Sequence, residues 1–162
     1  NCHPGKIFCL SGEGVIYSVL TCKGKGRLTR KRTMKPEAVK KVRFNEKGLV
    51  PVVVQDQSGV VLMMAYMNEE ALRLTMDTGR MHYYSRSRRK IWLKGESSGH
   101  FQYLKQLALD CDGDCLLAVV HQKGAACHEG YYSCFFRVFN QKEGDFTVRQ
   151  KKLFDPERVY KL

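Results

Sequence analysis

The sequence predicts an α+β domain in which a mainly antiparallel sheet packs on one principal helix. Three observations predict it. Several short runs are β-branched or alternate in polarity, and turn residues separate them. Only one segment carries both a helix start and a helix stop. No internal repeat or heptad pattern is present.

The elements follow in order. Leu49 to Gln55 is apolar and β-branched, with Pro51 near its start, and Asp56-Gln57-Ser58-Gly59 is turn chemistry. Val60 to Tyr66 returns as the second strand of a hairpin whose strands are largely buried. Asn68 is a helix N-cap, Glu69 and Glu70 suit the positive first turn, and Gly79 is a natural stop. The helix between them is expected to bury Ala71, Leu72, Thr75 and Met76. Met81 to Tyr84, Phe101 to Leu109, Leu116 to His121 and Tyr132 to Phe139 read as further strands. Ser85 to Lys90 reads as a basic polar stretch, and Lys94 to Gly99 is rich in glycine and serine.

The chain has 162 residues, 43% of them hydrophobic, which is enough for one domain with a real core and no need of disulfides. No apolar run approaches the roughly 20 residues of a membrane span. The net charge of +12 is uneven: residues 1–47 hold 12 Lys+Arg and 3 Asp+Glu. The excess therefore describes a tail, and the charge argument for a nucleic-acid-binding body is weak. Residues 1–43 are expected to be a basic extension, non-native or disordered, with Met34 a plausible native start. Residues 44–139 form the domain, and 140–162 a C-terminal segment packed on it. Seven cysteines without a signal peptide fit reduced thiols in a cytoplasmic setting better than a secreted disulfide scaffold.

Four of those cysteines, Cys111, Cys115, Cys127 and Cys134, crowd the domain. Asp110, Asp112 and Asp114 alternate around Cys111. Three carboxylates at this spacing suit a hard cation such as Mg²⁺, and a solvated acidic turn is the bland rival. An EF-hand loop fails, because Cys115 and His121 stand where glycine and glutamate are required. If the segment is extended, its aspartates share one face and Cys111 points to the other. Three cysteines with an open position describe a catalytic zinc, although lone cysteines in strands are usually buried small hydrophobes, and Cys115 is expected to be one. His128, beside Cys127, is a fourth ligand or a proton shuttle. Arg86, Arg88 and Lys94 offer charge, Ser97 and Ser98 hydrogen-bond donors and Trp92 a stacking face, with Glu96 among them. Together they have the makings of an anion pocket, although composition alone favours a basic surface loop.

In order and without gaps, several motifs from residue 44 to 139 resemble the phosphoribosyl-AMP cyclohydrolases of histidine biosynthesis. They are Gly48-Leu-Val-Pro51, Val61 to Asn68, Tyr84-Ser-Arg-Ser-Arg88, Trp92 to His100, Asp110 to Asp114, Ala126-Cys-His128 and Ser133 to Phe136. The resemblance implies a hydrolase that opens the adenine ring of 1-(5-phosphoribosyl)-AMP at the N1–C6 bond. It implies an intertwined homodimer in which Cys111 of one subunit joins Cys127 and Cys134 of the other on Zn²⁺, while Asp110, Asp112 and Asp114 hold Mg²⁺. It places catalysis on His128 and substrate contacts on Arg86, Arg88, Trp92, Lys94, Glu96, Ser97 and Ser98. The chain departs from the family pattern at Glu129, where a small hydroxyl residue is common. With few residues after Phe139, one reaction step is expected and not two. The alternative is a structural-zinc module whose basic arm binds nucleic acid; the cyclohydrolase reading needs neither nucleic acid nor membrane.

Overall fold

A computed structural model describes residues 37–160. Its elements are α1 (Glu37–Lys40), β1 (Val50–Asp56), β2 (Val61–Met67), α2 (Glu69–Thr78), β3 (His82–Ser85), β4 (Lys90–Leu93), β5 (Gln102–Leu109), β6 (Leu116–Gln122), β7 (Arg137–Asn140), β8 (Asp145–Val148) and α3 (Pro156–Val159). A four-stranded sheet runs in the order β2-β1-β6-β5, and β3-β4 and β7-β8 form two separate hairpins. The expected α+β class holds. The sheet is antiparallel-rich, with β1 and β6 as a parallel pair at its centre.

Strand β1 buries Val50, Val52 and Val54 completely and ends on buried Asp56, the period of two that a pleated strand dictates. Strand β6 answers with buried Leu116, Ala118 and Val120. Helix α2 covers this core through Ala71, Leu72 and Thr75, with Met76 packed at the margin. Asn68 accepts the backbone N–H of Ala71 at 2.9 Å, as a cap should. Inside the helix, the Thr75 hydroxyl accepts from the His82 amide at 2.9 Å and ties α2 to β3.

Two regions depart from the sequence expectation. The basic stretch closes as the β3–β4 hairpin, with Tyr83 opposite Trp92. Its pairing is set by two aromatic rings 5.1 Å apart, a contact that charge composition hides. Residues 132–136 do not form the expected strand. Their polar groups are satisfied elsewhere: Ser133 Oγ donates to Val61 O at 2.7 Å, and the Cys134 amide to Leu62 O at 2.7 Å. The ladder begins only at Arg137, against a partner, β8, in a segment read as polar.

The caps of α2 are testable by urea denaturation. Asn68→Ala should lower stability by about 1 kcal/mol. Gly79, at φ 67°, sits in the left-handed region, so Gly79→Ala should cost about 1–2 kcal/mol. Both should shift the midpoint with an unchanged slope.

Candidate active site

The acidic segment is a closed loop at the entry to β6. Asp110 donates its amide to Cys115 O at 3.1 Å, and its carboxylate accepts the Cys115 amide at 3.0 Å. That second bond holds the Asp110 carboxyl below its ordinary pKa. Gly113 takes φ 82°, so the loop is bent and strand alternation does not govern it. The bend nevertheless brings ligand oxygens of Asp110, Asp112 and Asp114 within 4.8 Å of one another. Cys111 stays on the same loop, its thiol 3.8 Å from an Asp112 oxygen, and is exposed. Arg43 fastens the loop from outside: its amide donates to Gly113 O at 2.7 Å and its guanidinium to Asp112 O at 3.0 Å. Sequence reading missed Arg43, because 69 residues separate it from Asp112.

Cys127 and Cys134 belong to a second loop, at the opposite end of β1. There the Tyr132 hydroxyl donates to Asp56 Oδ2 at 2.7 Å. The backbone of the loop is tied across itself, Cys127 N to Tyr131 O at 3.1 Å and Ala126 N to Tyr132 O at 3.0 Å. The thiols of Cys127 and Cys134 meet within it. Cys134 keeps an exposed edge, yet loss of water around the sulfur, and then the neighbouring Cys127, push its thiol up to about 12. Lys94 works against that rise. It is buried, and its ammonium faces both sulfurs; burial lowers its pKa while the two cysteines oppose the change. Glu129, the departure from the family pattern, is paired with Arg137 at 3.2 Å. The Arg137 guanidinium also lies over the Phe136 ring at 4.3 Å. His128 is exposed beside Cys127. Cys115, expected to be a buried apolar filler, is half-buried in the first loop.

The predicted substrate set is divided between these ends. The Arg86 guanidinium lies 4.2 Å over the Tyr66 ring, at the acidic-loop end, where both border the same cavity as Asp114. Arg88 is exposed and held by Ser85 Oγ, 3.3 Å from its amide. Trp92 packs half-buried on Tyr83. Glu96 caps the turn by accepting the Leu93 amide at 3.4 Å, Ser98 accepts from the His100 amide at 3.3 Å, and Ser97 is exposed.

The register fixes how far apart the two loops lie. Leu116, just after the acidic loop, pairs with Val52, whereas Tyr132 is bonded to Asp56. Four residues of strand span about 13 Å. Zn–S bonds of about 2.3 Å need sulfurs within about 4 Å of each other. Among the described residues, the three aspartates are the one group of three or more metal-binding side chains that converges. The donor chemistry fits two kinds of cation: paired cysteine sulfurs suit a soft metal, and converging carboxylates suit a hard one.

Comparison with known proteins decides the family. The phosphoribosyl-AMP cyclohydrolase family model matches residues 63–136. A phosphoribosyl-AMP cyclohydrolase of Methanoregula boonei is 58% identical over 120 residues, covering 74% of this chain and 94% of the relative. The chain belongs to the phosphoribosyl-AMP cyclohydrolase family. Another cyclohydrolase of that name, from Pelotomaculum thermopropionicum, is 55% identical over 74% of this chain and 92% of its own length. A histidine biosynthesis bifunctional protein of Thermoanaerobacter pseudethanolicus is 49% identical over 75% of this chain and 56% of its own length. The nucleic-acid alternative gains no support, and residues 1–36 of the basic segment that prompts it lie outside the described residues. Among the described residues, no helix is long and apolar enough to cross a membrane.

Asp56 links the cysteine loop of this cyclohydrolase-family chain to its core and offers a test. Burial opposes its ionisation, but the Tyr132 hydroxyl and the amides of Val60, Ser58 and Gly59 outweigh burial and hold its carboxyl below the ordinary value. The stability it contributes is therefore present above an unfolded pKa of about 3.9 and is lost as pH falls through the lower folded value. Asp56→Ala should lower stability by about 2 kcal/mol at neutral pH. In acid titrations followed by circular dichroism, it should also flatten the loss of stability below about pH 4.

Proposed function

We propose that this chain hydrolyses 1-(5-phosphoribosyl)-AMP, opening the adenine ring at the N1–C6 bond to give the phosphoribosylformimino-AICAR ribotide in histidine biosynthesis. Identity of 58% across nearly the whole of a relative with this name carries the reading. Zn²⁺ is proposed on Cys127 and Cys134 of one subunit and Cys111 of the other, and Mg²⁺ on Asp110, Asp112 and Asp114. When bound, zinc lowers the pKa of water to about 7 and makes hydroxide accessible at neutral pH.

The side chains then divide the work. Exposed His128, next to Cys127, takes a proton as water adds to C6 and delivers one to N1 as the N1–C6 bond breaks. The water oxygen stays on C6 as a carboxamide, and N1 leaves protonated, so atoms and charge balance. Arg86 and Arg88 bind phosphoryl oxygens, and Trp92, Glu96, Ser97 and Ser98 shape the loop that orients the base. Buried Lys94 offsets the negative charge of the cysteine set.

The same geometry supports a homodimer as part of this reading. Cys111 and the Cys127/Cys134 pair stand at opposite ends of the chain's central strands, which supports their meeting across two copies of the chain and not within one. Exposed apolar residues flank both halves: Leu109 and Leu117 beside the acidic loop, Val61 and Phe135 beside the cysteine loop. Such surface is what an interface covers.

Cys111→Ala, Cys127→Ala and Cys134→Ala should each lose zinc, measured by metal analysis, and turnover; Cys115→Ala should keep both. Asp112→Asn should keep zinc, lose activity and recover part of it in excess Mg²⁺. Mixing Cys111→Ala with Cys127→Ala subunits under exchange should restore roughly a quarter of wild-type activity, because about half the dimers are mixed and each has one intact site. No recovery despite proven exchange excludes the shared site.

A further inference from the structure

A cavity of about 640 Å³ opens beside the acidic loop, lined by Arg43, Phe44, Lys47, Tyr66, Arg86 and Asp114 among others. It is unlike the cysteine end in chemistry. Three cations converge on it from two separate parts of the chain, two from the segment before β1 and one from the β3–β4 turn. Two aromatic rings supply apolar wall. The wall is built and not incidental: Asn45 Oδ1 accepts the amides of Lys47 and Leu49 at 2.9 and 3.1 Å, which shapes the turn carrying Lys47. Arg86 is braced against Tyr66, and Arg43 commits one guanidinium N–H to Asp112 O. A guanidinium has five N–H donors, so both arginines keep most of theirs for a ligand.

We infer that this cavity binds the phosphorylated pentose arm of a nucleotide. A phosphoryl dianion suits Arg43, Lys47 and Arg86, and a sugar ring suits the Phe44 and Tyr66 faces. Asp114 and Glu46 also line the cavity, so an anion accompanied by a cation suits it better than a bare one, and the converging carboxylates provide for that cation. The inference rests on the proposed reaction for the identity of the whole substrate and on the proposed dimer for where the base lies. It adds that the ribose phosphate end lies on the subunit that supplies Cys111, while the base reaches the partner's cysteine pair. Arg43, Phe44, Lys47 and Tyr66 thereby join the substrate contacts.

The test uses the full-length dimer, ribose 5-phosphate as probe and calorimetry in Mg²⁺ buffer. Ribose 5-phosphate should bind saturably and more tightly than inorganic phosphate or ribose. Arg86→Gln and Lys47→Gln should each weaken it by about tenfold, with zinc content and melting temperature unchanged for Lys47→Gln. KM for phosphoribosyl-AMP should rise by a similar factor with kcat nearly constant. Lys142→Gln, an exposed charge in the β7–β8 turn, should change none of these. Absence of saturable binding, binding no tighter than inorganic phosphate, or binding indifferent to both variants overturns the subsite, while hydrolysis by the wild type leaves the reaction standing. Variant-sensitive binding without any hydrolysis upholds the subsite and removes the reaction.

Discussion

The parallel pairing of β1 with β6 is the constraint on which the rest depends. Val52 faces Leu116 and Asp56 faces Val120, so both strands run from the acidic loop toward the cysteine loop. A parallel pair cannot be closed by a tight turn, and the connection between these two strands carries β2, α2, the β3–β4 hairpin and β5. All the predicted substrate side chains lie in that crossover. Its two ends are fixed by the completely buried valines of β1, and shifting the register by one residue would turn those valines toward water. The apolar core therefore decides where the chemistry stands: hard oxygen donors and Cys111 at one end, the Cys127/Cys134 pair at the other.

What the sequence revealed follows the range of the interactions involved. Helix α2 was legible because its cap, its stop and its apolar face all lie within a dozen residues. The β1–β2 hairpin was legible from alternation and from the Asp56 to Gly59 turn. The cysteine loop was not, since its shape depends on Ser133 reaching Val61 and Tyr132 reaching Asp56, contacts 72 and 76 residues apart. Residue types alone suggested candidate metal donors, and motif order pointed to the family. The division of the site into two ends could be expected only through the family resemblance and not from the residues themselves, because it is a property of sheet order. Arg43 could not be read either, since in sequence it is one more cation of a basic run.

Charge balance explains why a lysine is buried at the cysteine end. The proposed divalent cation on three thiolates would leave a net charge of −1, which a site drawn away from water tolerates poorly. Lys94 supplies the compensating +1 against Cys127 and Cys134. Glu129 adds a further negative charge to the same region, and its ion pair with Arg137 offsets it locally. Two sources of negative charge are thus each set beside a cation, one buried and one exposed. The same reasoning separates Lys94 from Arg86: an ammonium turned toward sulfur has little left for a phosphoryl group, whereas Arg86 stands at a cavity with its donors largely free.

Cys111 and the three aspartates share five residues of chain, and this coupling has a consequence for the assembled enzyme. The loop is closed by the Asp110–Cys115 bonds and braced by Arg43, so it moves as a unit. In the proposed dimer it carries a soft ligand for one cation and all the carboxylate ligands for another, and it walls the cavity that the sugar phosphate would fill. Displacing it shifts all three together. In that proposed arrangement a single short loop would set the distance between the reacting base and the phosphoryl anchor, and the partner's cysteine pair would complete it without having to specify that distance. Positioning of this kind is what allows groups drawn from two chains to act on one substrate with the precision a single site needs.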